Sequence, residues 1–272
     1  MRDRFALNQA TTKHWPLDEL VPGCAEAGVR AVGLWREDVQ EYGLQKAAGL
    51  VRDAGLAVSS LCRGGFFDKP DWYDENRRAL DEAAELGAPC LVLVSGGLGD
   101  GSRDIDAARA HVGAALGQLV PHAEQVGVRL AIEALHPMFC SDRCVVSSLG
   151  QALDLAAPYP AAAVGVAIDT YHLWWDDQVW TQIERAGREG RIASFQVADW
   201  LTPLPEGVLL GRGLPGTGCI ELRRFAEAVA ATGYDGFVEV EVFHADVWAR
   251  PGAEVLADAI AGFQAHVVPG RP

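Results

Sequence analysis

The chain has 272 residues, 49% of them hydrophobic and 22% charged, enough to bury one sizeable core without disulfides or a structural metal. Its net charge of −14 and pI near 4.9 make a surface that repels phosphate backbones, which argues against a nucleic-acid partner. No stretch approaches the roughly 20 apolar residues that cross a bilayer. The N-terminal segment MRDRFALNQATTKHW lacks the apolar region of an export signal, so a cytoplasmic protein with no membrane partner is expected.

In chain order, short β-rich runs alternate with longer Ala/Leu-rich amphipathic stretches. The predicted strands are Phe5–Thr11, Ala31–Trp35, Ala57–Arg63, Cys90–Ser95, Arg129–Leu135, Val164–Thr170, Ala193–Asp199 and Gly236–Phe243. Most are short and continuously apolar, which suits a parallel sheet covered on both faces. The clearest helices between them are Asn76–Ala88, Asp104–Val128 (with Pro121 as a kink) and Leu222–Tyr234. Several helical stretches end in a glycine just ahead of a strand, as in ELGAPCLVL and QVGVRLAIE. Glycine there accepts the left-handed backbone that stops a helix. Eight such units without a composition break predict a single-domain (β/α)8 TIM barrel over residues 1–272. No GxGxxG follows the first strand, so a dinucleotide fold lacks its main signal. GxSxG and GxxxxGK[ST] are absent too, leaving acyl transfer and nucleotide hydrolysis without theirs.

The six cysteines are scattered and read as reduced, mostly buried thiols. Cys140 and Cys144 have metal-knuckle spacing, but no second pair completes four ligands.

In a (β/α)8 barrel the reacting groups sit at the C-terminal ends of the strands. Polar residues interrupt the late parts of the apolar runs in the second half of the chain: Glu133, Asp169, Gln196, and Glu239 with Glu241. A carboxylate inside an apolar strand is costly unless it is paired or bound to a cation. Separate salt bridges would satisfy each one singly. Several at equivalent strand ends instead suggest oxygen ligands converging on one hard divalent ion, Mn2+ or Mg2+ with Co2+ possible.

The segments LAIEALHPM, VGVAIDTYHLWWD, SFQVADW and GYDGFVEVEVF, with LCRGGFF and NRRALDEAAELGAPCLVLVSGG earlier, resemble the xylose-isomerase-like TIM-barrel family of sugar isomerases and epimerases. The resemblance implies a cation held by Glu133, Asp169, Gln196 and Glu241, with Glu239 as the fallback for Glu241 because alternation gives both the same facing. Gln196 departs from the family, which usually has histidine there, and this shifts the expected ion toward Mn2+ or Mg2+. The resemblance also implies that Glu133 and Glu241 take and return a proton beside a substrate carbonyl, while the ion bears developing enediolate charge. His172 and Arg212 match family positions that contact substrate; capping of a helix and plain surface exposure are the alternatives.

His136 follows Glu133 closely enough to line the pocket or orient that carboxylate, and Asp199 has a similar orienting role or a plain salt bridge. Trp35, Trp174 and Trp175 are candidates to wall a sugar, or simply pack the barrel. The glycine-rich GRGLPGTG segment could hold phosphate at a helix N-terminus. The expected partner is a small sugar or polyol, with a homodimer possible. Three other functions share parts of this pattern. A lyase on a keto-sugar or glycoside would use the same residues, and a silent barrel scaffold would use none. A three-zinc DNA-repair endonuclease conflicts with the acidic charge and with the placement of the seven histidines.

Overall fold

The computed structural model describes residues 2–99, 101–205 and 207–268. Eight strands form a closed, all-parallel barrel: β1 Phe5–Asn8, β2 Ala31–Trp35, β3 Ala57–Gly65, β4 Cys90–Val94, β5 Arg129–Glu133, β6 Val164–Asp169, β7 Ile192–Val197 and β8 Val238–Val240. Each strand pairs with its sequence neighbours, and β8 pairs back onto β1. An outer ring of helices follows the strands: α1 Leu17–Glu26, α2 Leu44–Asp53, α3 Trp72–Leu86, α4 Ile105–Val126, α5 Leu149–Ala156, α6 Val179–Arg188, α7 Leu222–Ala231 and α8 Gly252–Gly262. The predicted (β/α)8 architecture is the observed one.

Local chemistry sets the helix ends. Asp104 accepts from the Ala107 N–H at 2.9 Å and so caps α4, whose C-terminus stops at Gly127 with φ 72°. The α3 helix stops in the same way at Gly87, φ 70°. A side-chain acceptor fills an N–H left open by the first turn, and glycine takes the left-handed step without a Cβ penalty.

Two cores result. The larger lies between the sheet and the helices, where buried Leu, Val and Ile such as Leu34, Leu91, Leu116, Ile132 and Ile183 each contribute roughly 1.5–3 kcal/mol by leaving water. The smaller lies inside the barrel and is built from small side chains: Cys62, Cys90, Val92, Ala131 and Ala167. Several predicted strands run past the observed ends. β5 stops at Glu133 and β8 at Val240, so Glu133 is a terminal strand residue and Glu241 lies just beyond one. The reason is geometric: where the barrel opens, the chain leaves the ladder and the carboxylates face the opening.

Among the described residues no helix is long and apolar enough to cross a membrane.

Candidate active site

The barrel's open end leads into a cavity of about 630 Å3, with Glu133, Glu241, His172, Arg212, Trp35 and Cys62 among its lining residues. Strand register brings the expected ligands to this end. Asp169 on β6 pairs with Gln196 on β7, and Gln196 pairs with Glu239 on β8. Parallel partners point the same way, so these three side chains form one inward row. Asp169, Gln196 and Glu239 are each 1% exposed, while Glu133 at 6% and Glu241 at 3% reach the cavity. Glu133, Asp169 and His172 offer ligand atoms within 4.8 Å of one another.

Arg212 is the central cation. Its Nη1 lies 2.5 Å from Glu241 Oε2 and 3.0 Å from Asp169 Oδ2, and its guanidinium is sandwiched between the rings of Tyr171 and Phe243, 5.1 and 4.8 Å from their centroids. Burial opposes its charge, but Asp169, Glu241 and Glu133 outweigh that and hold Arg212 above its ordinary pKa. The loop carrying it is folded back by a two-residue antiparallel ribbon, Asp199–Trp200 against Arg212–Gly213. Asp199 locks the turn by accepting from the N–H groups of Trp200, Gly216 and Ile220 at 2.9–3.0 Å. Asp199 therefore organises the Arg212 loop. The Gly216 amide of the glycine-rich segment and the Ile220 amide just beyond it are already occupied by that carboxylate, which leaves fewer free N–H groups there for a phosphate.

The carboxylates are strained electrostatically. Burial first, then the charges of Asp169 and Glu241, push Glu133 well above the usual carboxylate range. Burial raises Asp169 as well, opposed chiefly by the charge of Arg212. Burial, opposed by Arg212, raises Glu241 to about 7. His172 is driven well below its ordinary value by burial and then by Arg212. Its Nε2 lies 2.9 Å from Arg212 Nη2, and its Nδ1 accepts from the His136 backbone N–H at 3.2 Å. Donors facing both ring nitrogens disfavour a second proton on the ring, in the same direction as burial.

Below this layer sits a second polar one. Glu239 accepts from Asn8 Nδ2 at 3.0 Å and lies 3.5 Å from Ser194 Oγ, and the polar side chains of Ser60, Asn8, Ser59 and Gln196 around it partly offset the rise that burial imposes on it. Asn8 is held in turn by Trp35, whose indole N–H donates to Asn8 Oδ1 at 2.8 Å. Space for the pair depends on Gly33, where a Cβ would come 2.2 Å from Glu239 Oε2 and 2.9 Å from Asn8 Nδ2. Glu239 is thus fully engaged within the barrel, and the Gln196 amide N–H that bonds it leaves Gln196 Oε1 as the outstanding group.

Gln196 Oε1 and Asp169 Oδ2 are buried oxygens with no hydrogen-bond partner among the described residues; Asp169 Oδ2 is paired in charge with Arg212 and lies 3.9 Å from His172 Nε2. Once ionised, three carboxylates against one guanidinium leave two negative charges to offset. Orphaned oxygens and a net charge of that size fit a hard divalent cation.

The other expected residues separate by position. Trp35 lines the cavity. His136 does not; it packs against Trp175 and Trp200 and reaches the site only through its backbone bond to His172. Trp174 leans on Trp200, and Trp175 is 39% exposed with its N–H on the His172 carbonyl, so both pack around the site's outer side. Asn8, Arg63 and Arg143 went unrecognised in the sequence. An Asn ending the first strand was a usable signal for Asn8, whereas a lone arginine in a polar loop gave none for Arg143.

Comparison with known proteins places this geometry in context. A Streptomyces coelicolor protein, provisionally named a hydroxypyruvate isomerase, is 27% identical over 277 residues, covering 92% of each chain. A crystal structure of a Sinorhizobium meliloti protein is 44% identical, superposes with a TM-score of 0.94, and covers 98% of this chain and 99% of that one. The IolI protein, solved with a zinc atom bound, shares the fold at a TM-score of 0.81 and 20% identity, over 97% of this chain and 98% of that one. The family model for the xylose isomerase-like TIM barrel matches residues 22–265, and the chain belongs to that family.

Proposed function

We propose that the protein is a divalent-metal-dependent isomerase or epimerase of a small sugar, polyol or related hydroxy-carbonyl compound. The observation that carries this reading is the pair of buried carboxyls, Glu133 at the end of β5 and Glu241 just beyond β8, which face one cavity beside Arg212 and His172. The provisional name of the S. coelicolor relative and the zinc in the IolI structure point the same way.

Glu133, Asp169, Gln196 and Glu241 would hold the ion, in keeping with the orphaned Gln196 and Asp169 oxygens. When bound, a divalent ion supplies positive charge opposite oxygens that become anionic during enolisation.

The residues supply the proton transfers. One carboxylate removes the proton from the carbon that bears the hydroxyl, and the C–H electron pair forms the C=C bond of an enediolate. The former carbonyl oxygen takes up the negative charge. Arg212 provides N–H donors there, already fixed by Asp169 and Glu241. The second carboxyl then returns a proton. Return to the same carbon from the opposite face inverts it; return to the neighbouring carbon moves the carbonyl. An elevated pKa suits groups that must accept and donate near neutral pH.

The test is incubation in D2O with Mn2+ and a panel of ketoses, aldoses, inososes and hydroxypyruvate, read by NMR. Deuterium appearing at a carbon beside the carbonyl, with substrate mass otherwise conserved, is expected. Release of a fragment would make the protein a lyase, and absence of exchange across the panel would remove the proposed chemistry.

A further inference from the structure

The cavity contains two arginines that the proton-transfer site does not use. Arg63 lies near the end of β3, and Arg143 sits in the loop after β5; both line the cavity with Glu133 and His172. Arg212 is neutralised by Asp169 and Glu241, but these two are not matched in that way. The Arg63 Nη2 has one ionic neighbour, Glu37 Oε1 at 3.6 Å, and the Glu37 side chain is 63% exposed. So exposed a pair contributes little. Arg63 Nε is buried with no hydrogen-bond partner. Its guanidinium lies over the Phe66 ring, 4.5 Å from the centroid, which fixes its plane.

The Arg143 guanidinium has no ion pair or side-chain hydrogen bond among the described residues. The two arginines act on one another electrostatically. Arg63 is held below its ordinary pKa by burial and then, against Glu37, by the charge of Arg143. Arg143 weighs on His172 as well, so its charge falls on the reacting part of the cavity.

Two guanidiniums lining one cavity without a matching buried carboxylate are costly to keep there, and the chain, at net charge −14, has carboxylates to spare. Planar forks of N–H donors match the oxygens of a carboxylate or phosphate. We infer that the substrate carries an oxyanion, a carboxylate or a phosphate, gripped between Arg63 and Arg143 while its carbonyl end faces Glu133 and Glu241. This rests on the proposed function only for the identity of the reacting end; the anion site stands on the two arginines.

Binding of three compounds that share a carbon skeleton tests it: D-glycerate, glycerol 3-phosphate and glycerol, titrated calorimetrically into the wild-type protein, R63Q and R143Q. At least one anion should bind measurably more tightly than glycerol, and each substitution should weaken that anion about tenfold or more. The anion that wins identifies carboxylate or phosphate as the recognised group. R143Q should retain the wild-type melting temperature, since the Arg143 side chain holds no partner. The inference is overturned if glycerol binds as well as both anions, if neither anion binds, or if anion affinity survives both substitutions. Failure of deuterium exchange would sink the proposed reaction and leave these affinities where they are, so the two ideas fail separately.

Discussion

Arg212 and Glu241 meet at 2.5 Å, both 3% exposed, with the same guanidinium nitrogen 3.0 Å from Asp169. Removing one member of a buried ionic group strands the others, at a cost of about 3–5 kcal/mol. Arg212→Met should therefore lower stability by roughly that amount in urea unfolding without added metal. Saturating Mn2+ should restore part of the loss, because an ion that binds only the folded state stabilises it by mass action. A variant as stable as the wild type would mean that the carboxylates do not depend on Arg212.

Gln196 offers one orphaned oxygen toward the site while its amide N–H is engaged by Glu239. Imidazole is the better ligand for softer ions. Gln196→His should tighten Zn2+ and Co2+ binding by about tenfold or more relative to Mg2+, on the scale of a changed ligand set. Competition against a metal-chelating dye measures this. Equal affinities in both proteins would take Gln196 out of the ligand set.

Glu133→Gln keeps the side chain's shape and removes its proton chemistry. Exchange of the carbon-bound proton should fall by about 10²–10⁴-fold, the usual worth of a positioned acid or base, with the far-ultraviolet circular dichroism unchanged. Retention of wild-type exchange in both Glu133→Gln and Glu241→Gln would place the chemistry elsewhere.

Gly33→Ala places a methyl carbon against Glu239 Oε2 and Asn8 Nδ2. The layer below the site must shift, at a cost of about 1–3 kcal/mol for overpacking. Because Glu239 also fixes Gln196, Mn2+ affinity should fall along with the melting temperature. A stable Gly33→Ala protein with unaltered Mn2+ affinity would show that Glu239 does not position Gln196.

Cys24, Cys62, Cys90 and Cys144 are buried, whereas Cys219 is exposed and Cys140 half-buried. Burial pushes the Cys24 and Cys90 thiols up to about 12, so neither offers thiolate at pH 8 or 9. Iodoacetamide followed by peptide mass mapping should modify Cys219 and Cys140 in the folded protein, and all six only after denaturation. Rapid native labelling of Cys62 would show that solvent enters the barrel below Glu241.

The order of elements was legible because its causes are local. Short continuous apolar runs such as Cys90–Val94 suit strands covered on both faces, and glycines such as Gly87 and Gly127 stop helices through their own backbone freedom. Glu133, Asp169 and Gln196 also stood out, since a polar group in an apolar strand needs a reason. Closure of the sheet and the pairing between distant strands were not local. Alternation gives Glu239 and Glu241 one facing, and only contacts with Asn8 and the serines of β3 and β7 put Glu239 into the lower layer while Glu241 meets Arg212. Arg212 stood out only through the family resemblance, as a substrate contact with plain surface exposure as the alternative, and Arg63 and Arg143 carried no signal. The turn locked by Asp199 buries the first, and closure of the barrel brings the other two to one cavity. Side-chain patterning therefore determined which residues lie inside, and long-range pairing decided which charges meet, because electrostatic energy depends on distances the chain order does not contain.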